Sequence, residues 1–231
     1  MTTRRPVKGR HFLVGVIGSP ADLEIAARMK QPPDLFELRL DCLWPILGKL
    51  ERELAVLNAP KIITARDPRE GGANGLTLAR RSELLSRFLP HAKYLDVELR
   101  SARAFKPLLA QARKRNVGVV LSLHDFKSTP SSRSLRARAQ AAKKLGADIF
   151  KVATRTNEPS DLARLIALLT DKSLGLPVAA MGMGRLGTIS RPLLGAYGSA
   201  LNYASLAKSQ VEGQLPLDVL RSALAPARGQ R

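Results

Sequence analysis

The constraint with the widest reach in this chain is a rhythm. Short runs rich in Val, Ile and Leu recur eight times along 231 residues: His11–Gly18, Leu35–Asp41, Lys61–Arg66, Tyr94–Leu99, Val117–Asp125, Ile149–Thr154, Pro177–Gly184 and Leu201–Leu206. Between them lie longer stretches of good helix formers with helical spacing, for example Leu76–Phe88, Ala102–Arg115, Ser132–Leu145 and Glu158–Leu169. Asn116 and Gly146 sit where helices should stop before the fifth and sixth runs. Strands alternating with helices build βαβ units and a parallel sheet, and eight such units match a closed (β/α)8 TIM barrel. An open Rossmann-type sheet would want a three-glycine turn after the first strand, and Gly15-Val16-Ile17-Gly18-Ser19-Pro20 lacks that spacing. No linker or low-complexity tract divides the chain. The pattern predicts one barrel domain over residues 11–231, preceded by a basic tail over residues 1–10.

Composition narrows the setting. The apolar share is 45% and aromatics only 4%, so aliphatic packing must fill the core. Cys42 is the sole cysteine, which excludes an intrachain disulfide and fits a reducing compartment. Arg4-Arg5 ahead of an apolar run superficially suggests an export signal, but the run is short and no small-residue cleavage site follows, so the expectation is a cytoplasmic protein. No run approaches the roughly 20 apolar residues of a membrane helix. Lys and Arg number 38 against 19 Asp and Glu, a net charge of +19. Such an excess suggests nucleic acid, yet the basic residues sit at the N-terminus and on helix-like stretches such as Arg133 to Lys144. No RNA- or DNA-binding signature accompanies them, and stacking aromatics are few. The expected partner is a small anion, with no nucleic acid and no membrane.

Chemistry in a barrel sits at the C-terminal ends of its strands, so charges late in an apolar run are informative. Alternation in Phe36-Glu37-Leu38-Arg39-Leu40-Asp41 puts the leucines under the helices and turns Glu37, Arg39 and Asp41 toward the axis. The same logic turns Asp96 and Glu98 inward on the fourth strand, Ser122 and His124 on the fifth, and Lys151 on the sixth, while Arg66 ends the third. Asp96 and Glu98 could serve only a structural ion-pair network beside Arg39 or Arg66. Lys151 is harder to dismiss, because a mid-strand lysine between Phe150 and Val152 is costly to bury charged.

These residue types suggest Schiff-base elimination. A lysine attacks a ketone only after losing a proton, and burial and nearby cations both disfavour its charged form; Arg39 and Arg66 are the expected cations. The resulting iminium stabilises carbanion character at the adjacent carbon, whose proton a neutral histidine can remove. His124 ends the strand beside that of Lys151. Glu70, in Arg66-Asp67-Pro68-Arg69-Glu70-Gly71-Gly72, is the candidate carboxylate to fix the histidine's tautomer, the Gly-Gly pair freeing the loop to turn it inward. Three histidines without HxH or HExxH spacing argue against a metal site, and there is no P-loop.

Read in order, the motifs resemble the type I 3-dehydroquinate dehydratase family. They are Glu37-Leu38-Arg39-Leu40-Asp41, Arg66 to Gly72, His124-Asp125-Phe126, Lys151 in its strand, Met181-Gly182-Met183-Gly184 with Ile189-Ser190-Arg191, and Gly213-Gln214. The resemblance implies a cofactor-free, often dimeric barrel that dehydrates 3-dehydroquinate in the shikimate pathway. It assigns catalysis to Lys151, His124 and Glu70. It assigns the substrate carboxylate to Arg191, ring hydroxyls and the surrounding charge to Glu37, Arg39 and Arg66, and a lid contact to Gln214. The family's last loop commonly reads Ser-Ala-Pro-Gly-Gln; here Gln210 stands where the serine is expected, and Ser209 could replace it only if the loop shifts by one residue. Two alternatives remain from the residues alone: a class I aldolase, with Met181-Gly182-Met183-Gly184 as its phosphate turn, and a basic binding protein on a retired barrel.

Overall fold

Each apolar run becomes a strand, and every ladder between them is parallel. The structure is a computed structural model that describes residues 11–228, with side chains through residue 225; the expected basic tail lies outside the described residues. The strands are β1 (Phe12–Ile17), β2 (Leu35–Arg39), β3 (Lys61–Thr64), β4 (Ala92–Glu98), β5 (Gly118–Asp125), β6 (Ile149–Arg155), β7 (Val178–Met183) and β8 (Leu201–Ser205). The helices are α1 (Pro20–Arg28), α2 (Leu47–Glu53), α3 (Leu78–Phe88), α4 (Lys106–Lys114), α5 (Ser132–Lys144), α6 (Pro159–Thr170), α7 (Gly187–Ala196) and α8 (Leu217–Arg228).

The strands hydrogen-bond in the order β7-β6-β5-β4-β3-β2-β1-β8, so the first strand lies between the second and the last. The remaining seam, β7 to β8, is stitched differently. Ala200 N donates to Val178 O at 2.9 Å, and the Ser199 hydroxyl accepts from Ala180 N at 3.1 Å. The result is a nearly closed (β/α)8 barrel, as expected from the sequence.

Strand alternation divides the apolar residues into two sets. Val14, Leu35, Ile62, Val120, Ile149 and Leu201 meet around the barrel axis. Phe36, Leu38, Leu40, Leu121, Phe150 and Val152 face outward into the shell covered by the helices. Both helix stops take the left-handed backbone that ends a helix, Asn116 at φ 59 and Gly146 at φ 82. Two helices start later than expected. Thr77 caps α3, accepting from Arg80 N, so that helix begins at Leu78. Pro107 has no N–H and its ring clashes with a preceding helical turn, so α4 begins at Lys106 rather than Ala102.

Candidate active site

The mouth of the barrel, at the strands' C-terminal ends, is built from charge upward. Lys151, on β6, is almost fully buried, and its Nζ donates to Asp96 Oδ2 at 2.9 Å and to Glu37 Oε1 at 3.1 Å. The register explains the meeting: Lys151 pairs with Ser122 on β5, and Glu98 pairs with Ser122 from the other side. Asp96, two residues before Glu98, shares its inward face and reaches the amine. Arg66 completes the knot, donating to Asp96 at 2.9 Å, to Glu98 at 2.9 Å and to the Ser122 hydroxyl at 2.6 Å. Burial alone would raise the Asp96 carboxyl, but Arg66 and Lys151 hold it below the usual carboxylate range. The expectation that Arg39 and Arg66 would face Lys151 as bare cations is corrected. Arg39 is taken by Asp41 in a two-point pair at 3.0 and 2.8 Å, Arg66 is neutralised by acids, and the amine's own hydrogen-bond partners are carboxylates.

Asp41 is also corrected. It follows the end of β2 and does not line the cavity; besides Arg39 it accepts from the backbone N–H groups of Arg66 and Ala73 at 3.1 and 2.9 Å. It is a hub that pins the loop after β3. Arg66 itself stands two residues beyond the end of β3.

His124 pairs in register with Ala153, so it sits on the neighbouring strand one inward position nearer the opening than Lys151. Its Nδ1 lies 3.2 Å from Glu70 Oε2, and its backbone N–H donates to the same oxygen at 2.9 Å. In the tautomer that donates Nδ1–H to Glu70, Nε2 is left as the free base. Burial, with the positive charges of Arg66 and Lys151, pushes the imidazole well below its ordinary 6.5. Burial also pushes the Glu70 carboxyl up to about 7, against the pull of the His124 amide. The loop delivers Glu70 as a short 3-10 turn, Pro68–Glu70, capped by the Asp67 side chain and closed by Gly71 in the left-handed region at φ 85. A Cβ on Gly72 would lie 2.1 Å from the Arg66 carbonyl oxygen, so the second glycine is needed for close backbone approach.

The far wall is different. Arg191, on α7, is buried, yet its donors reach only the backbone carbonyls of Gly213 at 2.8 Å and Tyr203 at 3.0 Å. With no carboxylate beside it, burial brings the guanidinium down to about 10. Apolar Met181 and Met183 adjoin it in the cavity wall, and the loop over the top contributes Gln210, Val211 and Gln214. Gln214 accepts from Gln210 N at 2.9 Å.

Of the expected site residues, Lys151, His124, Glu70, Glu37, Arg39, Arg66, Arg191 and Gln214 all line one cavity. Ser209 does not: it is exposed and donates to Val211 O at 2.6 Å, because the loop keeps its register and puts Gln210 over the opening instead. Two residues escaped the sequence. Arg81 of α3 is fully buried, donating to Ala65 O, to Asp67 and to Glu98. Its signal was position, since it shares the helix face of Leu84, Leu85 and Phe88. Tyr203 of β8 lies with its ring over Lys151 Nζ, 4.1 Å from the centroid. Among the described residues, no group of three or more His, Cys, Asp or Glu side chains is arranged to hold a metal ion, and no helix is long and apolar enough to cross a membrane.

Residues 18–230 match the family model for type I 3-dehydroquinase. The chain belongs to the type I 3-dehydroquinase family. Among its curated relatives, the 3-dehydroquinate dehydratase of Shouchella clausii is 38% identical over 229 residues, covering 92% of this chain and 88% of the relative. That of Thermococcus gammatolerans is 34% identical over 225 residues, covering 95% and 100%. The crystal structure of 3-dehydroquinate dehydratase from Geobacillus kaustophilus superposes with a TM-score of 0.86 at 26% identity, over 96% of this chain and 92% of that one. Within this barrel, the paired acids and bases fall at the mouth, under the loop that holds Gln210 and Gln214.

Proposed function

We propose that this chain is a hydro-lyase that converts 3-dehydroquinate to 3-dehydroshikimate through a Schiff base on Lys151, with no cofactor. Membership of the type I family supports the reaction. The observation that carries the residue assignment is the buried Lys151 amine beside an imidazole whose Nδ1 is engaged by Glu70.

Lys151 Nζ adds to the C3 ketone and the ketone oxygen leaves as water, giving an iminium. The cationic nitrogen acidifies C2, and His124 Nε2 removes a proton there. The enamine electrons then expel the C1 hydroxyl, which takes a proton back from His124 and departs as water. Hydrolysis of the iminium frees the enone product and restores the lysine. Glu70 holds the imidazole in its productive tautomer and balances the imidazolium. Arg191 pairs with the substrate carboxylate, a two-point task that suits a guanidinium. Arg39 and Glu37 meet ring hydroxyls, and Gln214 closes over the ligand. Arg66, whose donors are spent on Asp96, Glu98 and Ser122, serves the charge network rather than the ring.

Borohydride added with 3-dehydroquinate tests the reading. Mass spectrometry should find a reduced adduct on the peptide holding Lys151, and an unmodified Lys151 overturns the assignment. Lys151→Ala should lower turnover by roughly 10³-fold or more, whereas His124→Ala should stall catalysis with the adduct still forming.

We also infer a cytoplasmic homodimer acting in the shikimate pathway and binding no nucleic acid. The free thiol of Cys42 suits a reducing compartment. Exposed Ile189 and Tyr197, at α7, and Val219, on α8, offer apolar surface for a second copy. Sedimentation at micromolar concentration checks the dimer, and a salt-dependent shift on added RNA would count against the exclusion of nucleic acid.

A further inference from the structure

Tyr203 is the one site-lining aromatic that carries a polar atom with nothing to bond. Its side chain enters the barrel from β8, its ring lies over Lys151 Nζ at 4.1 Å, and its hydroxyl is buried without a partner among the described residues. A buried phenol normally finds a hydrogen bond, and one left unmade is destabilising. The nearby acids already serve other donors: Glu37 Oε1 takes Thr64 and Lys151, and Asp96 takes Arg66, Ser122 and Lys151. Tyr203 lines the same cavity as Lys151 and His124, so a ligand attached at Nζ would lie beside the ring that carries the free hydroxyl.

We propose that Tyr203 is a further catalytic residue, donating a hydrogen bond to the substrate oxygen that Lys151 displaces when the imine forms. This rests on the Schiff-base reading above and adds a group to it. The step balances as follows. Nζ bonds to the carbonyl carbon, and the π pair moves to oxygen. Two of the three protons of the starting ammonium pass to that oxygen. The carbon–oxygen bond breaks, water leaves, and the positive charge stays on the iminium. The oxygen would stand two bonds from Nζ, beside the ring that already covers the nitrogen. Charge builds on it in the addition step, when a fixed donor helps most. Burial, with Glu37 and Asp96 nearby, holds the phenol well above its ordinary 10, so it keeps its own proton and acts as a donor only.

The test is Tyr203→Phe, which removes the hydroxyl and keeps the ring. Deleting an unpartnered buried group should leave the melting temperature equal to or above that of wild type. Imine formation, followed by quenched borohydride trapping in the first turnovers, should slow about tenfold, the size of one hydrogen bond. The isotope effect with substrate deuterated at C2 should shrink, because the earlier step becomes more limiting. Tyr203→Leu, which also removes the ring from the amine, should slow trapping further. A Tyr203→Phe protein with unchanged trapping rate and unchanged isotope effect overturns the proposal while the dehydratase reading stands. A wild-type protein that traps no adduct overturns both.

Discussion

The two walls of the barrel mouth treat charge in opposite ways. On the β2–β6 side, Glu37, Asp96 and Glu98 are matched against Arg66, Arg81 and Lys151, and each buried group has a partner of opposite sign. On the β7–β8 side, Arg191 stands among methionines and backbone carbonyls with no acid in reach. Desolvating a charge is expensive, and a matched cluster offsets the expense inside the protein. The unmatched arginine leaves it outstanding until an anion arrives. On the proposed reading, the crowded wall aims the amine, while the bare wall keeps an unmatched cation for the substrate carboxylate.

That contrast can be broken by mutation. The largest effect should come from Arg66→Ala, which strands Asp96 and Glu98 in the interior. Chemical denaturation should show a loss of about 3–5 kcal/mol, the range for breaking a buried ion pair from one side. Next comes Arg191→Met on the bare wall. KM should rise roughly 100-fold for two lost charge-assisted hydrogen bonds, while the unfolding free energy stays within about 1 kcal/mol of wild type. Equal destabilisation by the two substitutions would show that the walls do not differ as described.

The smallest effect sharpens the comparison within the crowded wall itself. Glu70→Gln should lower kcat roughly tenfold to 100-fold, since the imidazole loses its anionic support. The pH profile separates this from a packing effect. A carboxyl raised to about 7 is protonated below that pH and no longer accepts the Nδ1 proton as an anion. Wild-type kcat/KM should therefore fall as pH drops through about 7. Glutamine cannot titrate, so the variant should lose that limb; a limb that persists unchanged assigns it to another group.

Much of this site was legible because strands impose a period of two. Lys151, His124, Glu37 and Arg66 stood out as charges in apolar runs that topology carries to one end of the barrel. What lay outside a strand was harder. Asp41 shares the parity of Glu37 and Arg39, but β2 has ended before it, and the chain turns its carboxylate to loop amides. Arg81 reads as an ordinary basic helix residue unless its apolar face is counted. Ser209 depended on loop register, which carries no periodic signal. Tyr203 was invisible because an aromatic in a strand is normally core; only the orphaned hydroxyl sets it apart. The carboxylates around Lys151 were individually visible as inward residues, yet which cation each would meet depends on register across five strands.

The placement of β1 between β2 and β8 has a consequence for how the enzyme comes into being. As the chain leaves the ribosome, strands two through six can dock as consecutive neighbours, bringing Glu37, Arg66, Asp96, His124 and Lys151 together. The partnership of Phe12 with Leu201 must wait until the eighth strand has been made. On the proposed reading, the groups that carry the chemistry can thus assemble on a half-built scaffold, before Arg191 and the seam between first and last strands are in place.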